Sequence, residues 1–295
     1  MYLEFQYSTT RPWLEKRGDV LSIGLLNRAL GASVERWVLP DGHYLKRGDF
    51  HLIESSECVV GVASVSIQAN TLATTTGSLY EQLLNDHPTQ ALYRIWHFVP
   101  GINQQSGDSI ENYRAFCLGR ATAFERNAGE GQHLKMSAAS AVGTGGGHLG
   151  LIYLAGRTPA RHIENPRQTP AYRYSQKYGP KPPAFARATC VDFAGRPTLF
   201  ISGTSSILAS ESTGDTIVSQ LATTLQNLQI VAAQTTVPPT GKRLVRVYLR
   251  HVDDYAYVKA QLEAHYLHEG DEAYYIQADI CRRELLVEIE VTMGI

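Results

Sequence analysis

The alternation of apolar and polar positions is clearest in the second half of the chain. Residues 186–193 and 197–202 are runs rich in β-formers around the turn Ala194-Gly195-Arg196, a hairpin signature. After Asp215, the apolar residues Ile217, Val218, Leu221, Leu225 and Leu228 recur at helical spacing and predict a helix with one buried stripe. Residues 244–250 read as a strand. Asp253 then caps a second helix with Tyr255, Val258, Leu262 and Tyr266 inward. Strands at 273–278 and 285–292 complete the order β-β-α-β-α-β-β. In the last strand Leu285, Val287 and Ile289 share one face, and Leu286, Glu288 and Glu290 the other. That mixed face is either a solvated surface or the wall of a cleft. In a cleft, desolvation would raise a carboxyl pKa and make the group a usable general acid.

The first half repeats this order. Short strands are expected at 34–39, 43–45, 51–54 and 59–66, a helix at about 78–85, a strand at 92–99, a helix over 108–126, and strands at 134–142 and 149–154. LYRIWHFV (92–99) aligns with LVRVYLRH (244–251) at an offset of 152. Two halves with one element order suggest a duplicated α/β unit, each a sheet with helices on one face. The stretch 156–184 between them holds six prolines, which suit neither a ladder nor a helix interior. The expected organisation is a first domain over 1–160, a proline-rich connector over 161–184 and a second domain over 185–295.

Two segments suggest chemistry. On the helix over 108–126, Ile110, Tyr113, Cys117, Ala121 and Phe124 share an inward stripe, and Arg120 falls inside it. A buried arginine needs an anion: an internal carboxylate, the solvent reached by snorkelling, or a ligand. Gly119 beside it costs helix stability and permits close approach of a neighbour. The connector carries Tyr172, Arg173, Tyr174, Lys177, Tyr178, Lys181 and, just beyond it, Arg187; these suit either a solvated linker or the wall of an anion site.

Composition narrows the classes. The 295 residues include 27 Lys+Arg and 28 Asp+Glu, a net charge of -1, which disfavours a general nucleic-acid or membrane-surface binder. The four cysteines are far apart, with no CxxC pair and no His/Cys cluster, so neither a metal site nor a disulfide framework is expected. No secretory leader or membrane span is visible, and a cytoplasmic protein is expected. GGGHLG (145–150) matches a dinucleotide-binding pattern by letters but precedes a strand rather than opening a helix. Ser202-Gly203-Thr204-Ser205-Ser206 is not a nucleophile elbow.

The segments YRAFCLGRA (113–121), KYGPKPPAFARA (177–188), SGTSSI (202–207) and ADICRRELLVEIE (278–290), in this order, resemble the chorismatases, from about residue 30 to the end. The second half, with its terminal VEIEV strand, also resembles the RidA/YjgF fold. The resemblance implies an α+β protein of two tandem RidA/YjgF-like domains, each a mixed sheet with two helices on one face. One site would lie between them, with chorismate as substrate and no cofactor or metal. Arg120 and Arg187 would clamp the two carboxylates, with Tyr113 and Tyr178 as donors and a small residue around Gly203 or Ala194 contributing to substrate binding. Glu288 matches the family's catalytic glutamate, which would protonate the enolpyruvyl methylene carbon. Cys281 stands where the family's 3-hydroxybenzoate branch has a cysteine. The implied reaction releases pyruvate and 3-hydroxybenzoate, with 4-hydroxybenzoate as a second product. The alternatives are hydrolysis to a dihydroxycyclohexadiene carboxylate, a RidA-like imine deaminase and a small-molecule binding module. Monomer and trimer both remain open.

Overall fold

The computed structural model describes residues 1–105, 110–127, 136–193, 195–235 and 241–294. The expected helix start at 108–109, the strand start at 134–135 and Ala194 fall outside the described residues.

Three sheets build the molecule. The first unit contains β5 (His43–Arg47), β6 (Phe50–Glu54), β7 (Cys58–Ser66), α1 (Leu72–Asp86), β8 (Ala91–Pro100), α2 (Asn112–Asn127), β9 (Ala138–Thr144) and β10 (His148–Gly156). Its strands run in the order β5-β6-β7-β10-β8-β9, antiparallel except for the β8/β9 pair. The second unit contains β11 (Arg161–Ile163), β12 (Ala188–Phe193), β13 (Arg196–Ser205), α3 (Ile217–Ala232), β16 (Arg243–Leu249), α4 (Tyr255–His265), β17 (Glu272–Gln277) and β18 (Val287–Met293). Its order is β11-β12-β13-β18-β16-β17, again with one parallel pair, β16/β17. A two-stranded ribbon, β14 (Ile207–Leu208) and β15 (Glu211–Ser212), follows β13. The tandem α+β architecture expected from the repeat is therefore present, down to strand order. The second sheet takes its edge strand from the start of the proline-rich stretch.

Each sheet buries one face beneath its own two helices. On β10, Leu149, Leu151, Tyr153 and Ala155 meet Leu72, Leu79, Leu83, Phe116 and Phe124. On β18, Val287, Ile289 and Val291 meet Leu221, Leu228, Val258 and Leu262. This is the period-2 pattern of a strand against the longer period of helices. The opposite faces turn toward each other. Trp96, Phe98, Ile152 and Leu154 of the first sheet share a core with Phe200, Tyr248 and Ile276 of the second.

That shared core has a third wall which the repeat does not predict. The first residues form a sheet of order β2-β3-β1-β4, from β1 (Tyr2–Gln6), β2 (Trp13–Arg17), β3 (Val20–Gly24) and β4 (Val34–Val38), with Leu3, Phe5, Leu21 and Ile23 packed into the seam. The segment 34–39, expected as the first strand of the repeated unit, belongs here instead. Its Glu35 and Trp37 face inward while Val34 and Val38 stay exposed, an inverted pattern that hides the strand from a hydrophobicity reading.

Local differences have simple causes. The helix expected at about 78–85 begins at Leu72, because the threonine-rich turn Thr74–Thr76 weakens the helical signal although Thr76 returns its hydroxyl to Leu72 O. Asp253 does not cap α4: it lies in a 3-10 turn, Val252–Asp254, and Asp254 precedes the helix without a side-chain cap. The capping box of α3 is formed by Thr216 and Ser219.

Gly119 has a packing reason. The helices α1 and α2 cross there so closely that a Cβ on Gly119 would collide with the backbone carbonyl oxygen of Ala73. Gly119→Ala should therefore lower stability by about 1–3 kcal/mol, against the direction of helix propensity. Chemical denaturation of the variant checks this; equal or higher stability would show that the helix crossing can relax.

Candidate active site

The interior face of β18 is not solvated. Glu288 and Glu290 alternate with the helix-facing Val287, Ile289 and Val291, so both glutamates point into the seam and both are only 4% exposed. Their environments then diverge. Glu290 receives Arg94 Nη2 at 2.6 Å, Trp96 Nε1 at 2.8 Å and Arg246 Nη1 at 2.9 Å. Burial opposes its charge, but Arg94 and Arg246 outweigh burial and hold its carboxyl below the usual range. Glu288, one pleat away, has no ion pair among the described residues; Ser205 Oγ donates to its Oε2 at 3.4 Å. Burial, reinforced by the charge of Glu290, pushes Glu288 up to about 8. Glu288 is thus a protonated carboxylic acid at neutral pH.

Glu288 opens into a cavity of about 380 Å3, a size suited to a small ligand. Every site residue expected from the sequence lies on its wall: Tyr113 and Arg120 from α2, Tyr178 from the connector, Arg187 just beyond it, and Gly203, Cys281 and Glu288 from the second unit. The connector, folded into short turns at Ala171–Arg173 and Gln176–Tyr178, forms a wall and is not a free linker.

The two expected clamp arginines have the character of anion receptors. Arg120 is 3% exposed and lies over the rings of Tyr80 and Phe124, yet its Nε and Nη2 have no hydrogen-bond partner. Arg187 is 4% exposed; it donates to Tyr174 Oη at 2.8 Å and Thr169 O at 3.2 Å, while its Nε is unpartnered. Neither has a carboxylate within ion-pair distance among the described residues. The other buried arginines among the described residues, Arg94, Arg243 and Arg246, are all paired with carboxylates. An unpaired buried cation is expensive, and a bound anion would remove that cost.

Gly203 sits in a register shift of the β13/β18 ladder between Ile201 and Thr204. Such bulges re-aim groups beside sites. Here Ser202 Oγ is turned across the seam to the N–H of Ala139 on β9 at 2.9 Å, and Gly203 N–H donates to Ser140 Oγ at 2.9 Å. A Cβ on Gly203 would collide with Glu288 Oε1, so glycine makes the room in which the acid lies. Cys281 is kept a neutral thiol, pushed up to about 12 by burial and then by Glu288.

Several site residues are not evident from sequence: Ser205 on the acid, Ser140 joining the two units, Phe116, and Arg282, whose guanidinium lies 4.1 Å from the centroid of the Tyr178 ring. Only the SGTSSI and CRRE motifs hinted at Ser205 and Arg282. The glycine-rich stretch around GGGHLG turns with positive φ at Gly146 (78°) and Gly147 (67°) and leads into β10, so no helix N-terminus is available for a phosphate. No described helix is long and apolar enough to cross a membrane.

Fold and cavity together define a class: a tandem α+β protein with a cavity between its units where a buried carboxyl of raised pKa meets two buried arginines that have no carboxylate partner among the described residues. Residues 35–155 match the family described as chorismatase FkbO/Hyg5-like, N-terminal. The chain is 36% identical over 226 residues to a 3-hydroxybenzoate synthase of Streptomyces hygroscopicus, a match covering 71% of this chain and 65% of that protein's length. It is 34% identical over 233 residues to a chorismatase of the same species, covering 74% and 67%. A solved chorismatase structure superimposes with a TM-score of 0.88 at 25% identity, over 99% of this chain and 92% of that one. The chain belongs to the chorismatase family.

The displaced pKa has a consequence for stability. Between the ordinary glutamate value of 4.5 and about 8, native Glu288 keeps a proton that the unfolded chain releases. The native state then binds more protons, so this group's contribution to stability falls as pH rises through that window. Glu288→Gln removes the dependence. Its melting temperature relative to the parent should rise steadily from pH 5 to pH 8, measured by calorimetry; a constant difference would mean that Glu288 is already ionised at pH 5.

Proposed function

We propose that the protein converts chorismate to pyruvate and 3-hydroxybenzoate, with Glu288 as the general acid. The observation that carries this reading is the juxtaposition of a protonated buried carboxyl with Arg120 and Arg187 in one cavity. Chorismate is a dianion, and each guanidinium can engage one carboxylate, bidentately where geometry allows. Ion pairing of that kind would replace the unsatisfied donors of Arg120 and orient the enolpyruvyl group toward Glu288. Tyr113 and Tyr178 are the hydroxyl donors on the same wall.

Protonation of the enolpyruvyl methylene carbon is the demanding step, because carbon is a slow proton acceptor and needs a held acid close to it. The C–H bond forms with the proton of Glu288, and the π electrons supply it. Positive charge is left on the ether carbon as an oxocarbenium ion, next to a carboxylate that Glu288 now faces. Capture is by the substrate's own 4-hydroxyl, which gives up its proton. Cleavage of the C4–O bond with loss of the C3 proton then aromatises the ring. Collapse of the resulting adduct breaks the bond from the ether carbon to the C3 oxygen, releasing pyruvate and a 3-hydroxyl that takes up a proton. Capture by water instead gives a hemiketal that collapses to pyruvate and the diol. The identity of the capturing group sets the aromatic or diol product. A neutral Cys281 does not compete as a nucleophile, which fits a role in shaping the path of the ring rather than in bonding to it. The close relationship to a protein named 3-hydroxybenzoate synthase and the presence of Cys281 support the aromatic branch. Formation of some 4-hydroxybenzoate belongs to the same proposal.

Incubation with chorismate and chromatographic separation of products tests the function directly. Pyruvate should appear in amounts equal to total hydroxybenzoate, chiefly the 3-isomer, without added metal or cofactor, and kcat/KM should fall as pH rises through about 8, because the acid form of the free protein is the active one. Diol as the sole organic acid besides pyruvate would select the hydrolase. Release of ammonia from a 2-iminobutanoate precursor with no attack on chorismate would select an imine deaminase. Chorismate binding without turnover would leave a binding module.

Cys281→Ala should change the proportion of 3-hydroxybenzoate to other products more than the total rate of pyruvate release. An unchanged product profile from the folded variant would remove Cys281 from product control.

A further inference from the structure

The paired charges beneath Glu288 extend to the N-terminal sheet. Arg246 on β16 donates through Nε and Nη2 to the two carboxylate oxygens of Glu35 on β4, at 2.5 and 2.6 Å, a contact between residues 211 positions apart. Its Nη1 goes to Glu290, whose other oxygen takes Arg94. Trp37 Nε1 also donates to Glu35 at 2.5 Å. Glu35 and Arg246 are both fully buried.

We propose that Glu35 is a positioning residue for the reaction: by neutralising Arg246 it keeps the buried cluster at zero net charge and leaves Glu288 holding its proton. This rests on the reading of Glu288 as the acid and adds what sets its protonation. The count is simple. Within the ion-paired cluster Arg94 and Arg246 supply two positive charges and Glu35 and Glu290 two negative ones, so the cluster offers no surplus positive charge to an ionised Glu288; Arg187, outside the cluster, draws on the proton but does not outweigh burial. The charged and titratable groups around Glu288 are Glu290 on its own strand, Arg94 on β8, Tyr248 opposite Glu288 on β16, Arg187 just beyond the connector, and Cys281, while Arg246 reaches Glu288 through Glu290. Of these, Arg94 is poised to capture it. Arg94 Nη1 is buried without a partner, while Nη2 serves Glu290 and Ser140. Without Glu35, Arg246 would depend on Glu290 alone. The cluster would carry one surplus positive charge, and Arg94 would be freer to pair with Glu288 as a carboxylate.

The test uses charge balance, which a merely structural role does not follow. Glu288 is titrated by carbon NMR of protein labelled at the glutamate carboxyl carbons, its signal assigned by its absence in Glu288→Gln; this readout needs no turnover. The pH dependence of pyruvate release is measured beside it. Glu35→Gln should lower the titration midpoint of Glu288 by about one pH unit and move the falling limb of kcat/KM down with it. Arg246→Gln should raise the midpoint, and the double variant, neutral again, should return it close to the parent value. Glu35→Asp, which keeps the charge, should keep the midpoint. If Glu35→Gln does not fold, Arg246→Gln and the double variant carry the same sign test. A midpoint that ignores these substitutions, or moves in one direction for both single variants, overturns the proposal. Undiminished turnover by Glu288→Gln would instead overturn the acid reading, whatever the midpoint does.

Discussion

A charge buried in a protein interior must find a partner, and that constraint organises the seam of this molecule. Arg94 and Arg246 occupy equivalent positions of the duplicated unit, 152 residues apart, and both meet the same carboxylate, Glu290. The three residues come from β8, β16 and β18, on both sheets, so the network can close only when the sheets face each other in one register. A slip of one residue in β18 would turn Glu290 and Glu288 onto the face that packs against Leu221, Leu228, Val258 and Leu262, away from Arg94 and Arg246. Such a network is a poor source of net stability, since desolvation offsets most of the attraction. Its contribution is to specify a single arrangement of the seam, and with it the position of Glu288.

Duplication supplied the scaffold but not a duplicated site. The strand of the first unit that corresponds to β18 is β10, and its residues are Leu151, Ile152, Tyr153 and Leu154, with no carboxyl group. The face that holds Glu288 and Glu290 in one unit packs Ile152 and Leu154 into the apolar core in the other. The first unit contributes instead the buried cation of α2 and the β9 edge. The N–H groups of Ala138 and Ala139 on that edge are satisfied by Thr189 Oγ1 and Ser202 Oγ of the second unit, so the edge is covered rather than exposed. The cavity therefore needs both halves: Glu288 and Arg187 come from the second, Tyr113 and Arg120 from the first.

Much of this is legible in the chain because it depends on local period and motif. The repeated element order, the alternation that isolates Glu288 and Glu290 on one face, and the segments shared with chorismatases can all be read from residues close in sequence. What escapes such reading is set by contacts distant in sequence. Glu35 lies on a strand whose inward positions are charged or aromatic and whose outward positions include two valines, and its meaning depends on Arg246 far along the chain. The helix-breaking cost of Gly119 is visible, but not the backbone of Ala73 that requires it. Ser140 and Ser202 look like ordinary strand serines until β9 is laid against β13.

The near-neutral overall charge conceals two kinds of buried arginine. Arg94 and Arg246 are matched by Glu290 and Glu35 and so present no field to a ligand. Arg120 and Arg187 are left without carboxylate partners and face the cavity. The unmatched cations are not kept apart from Glu288: Arg187 is near enough to draw on its proton, as is Arg94, while burial and the charge of Glu290 act the other way and prevail. Holding an anion and retaining a proton make opposite demands on the local potential of one cavity, and here desolvation of the carboxyl, with Glu290 one pleat away, offsets the pull of the arginines.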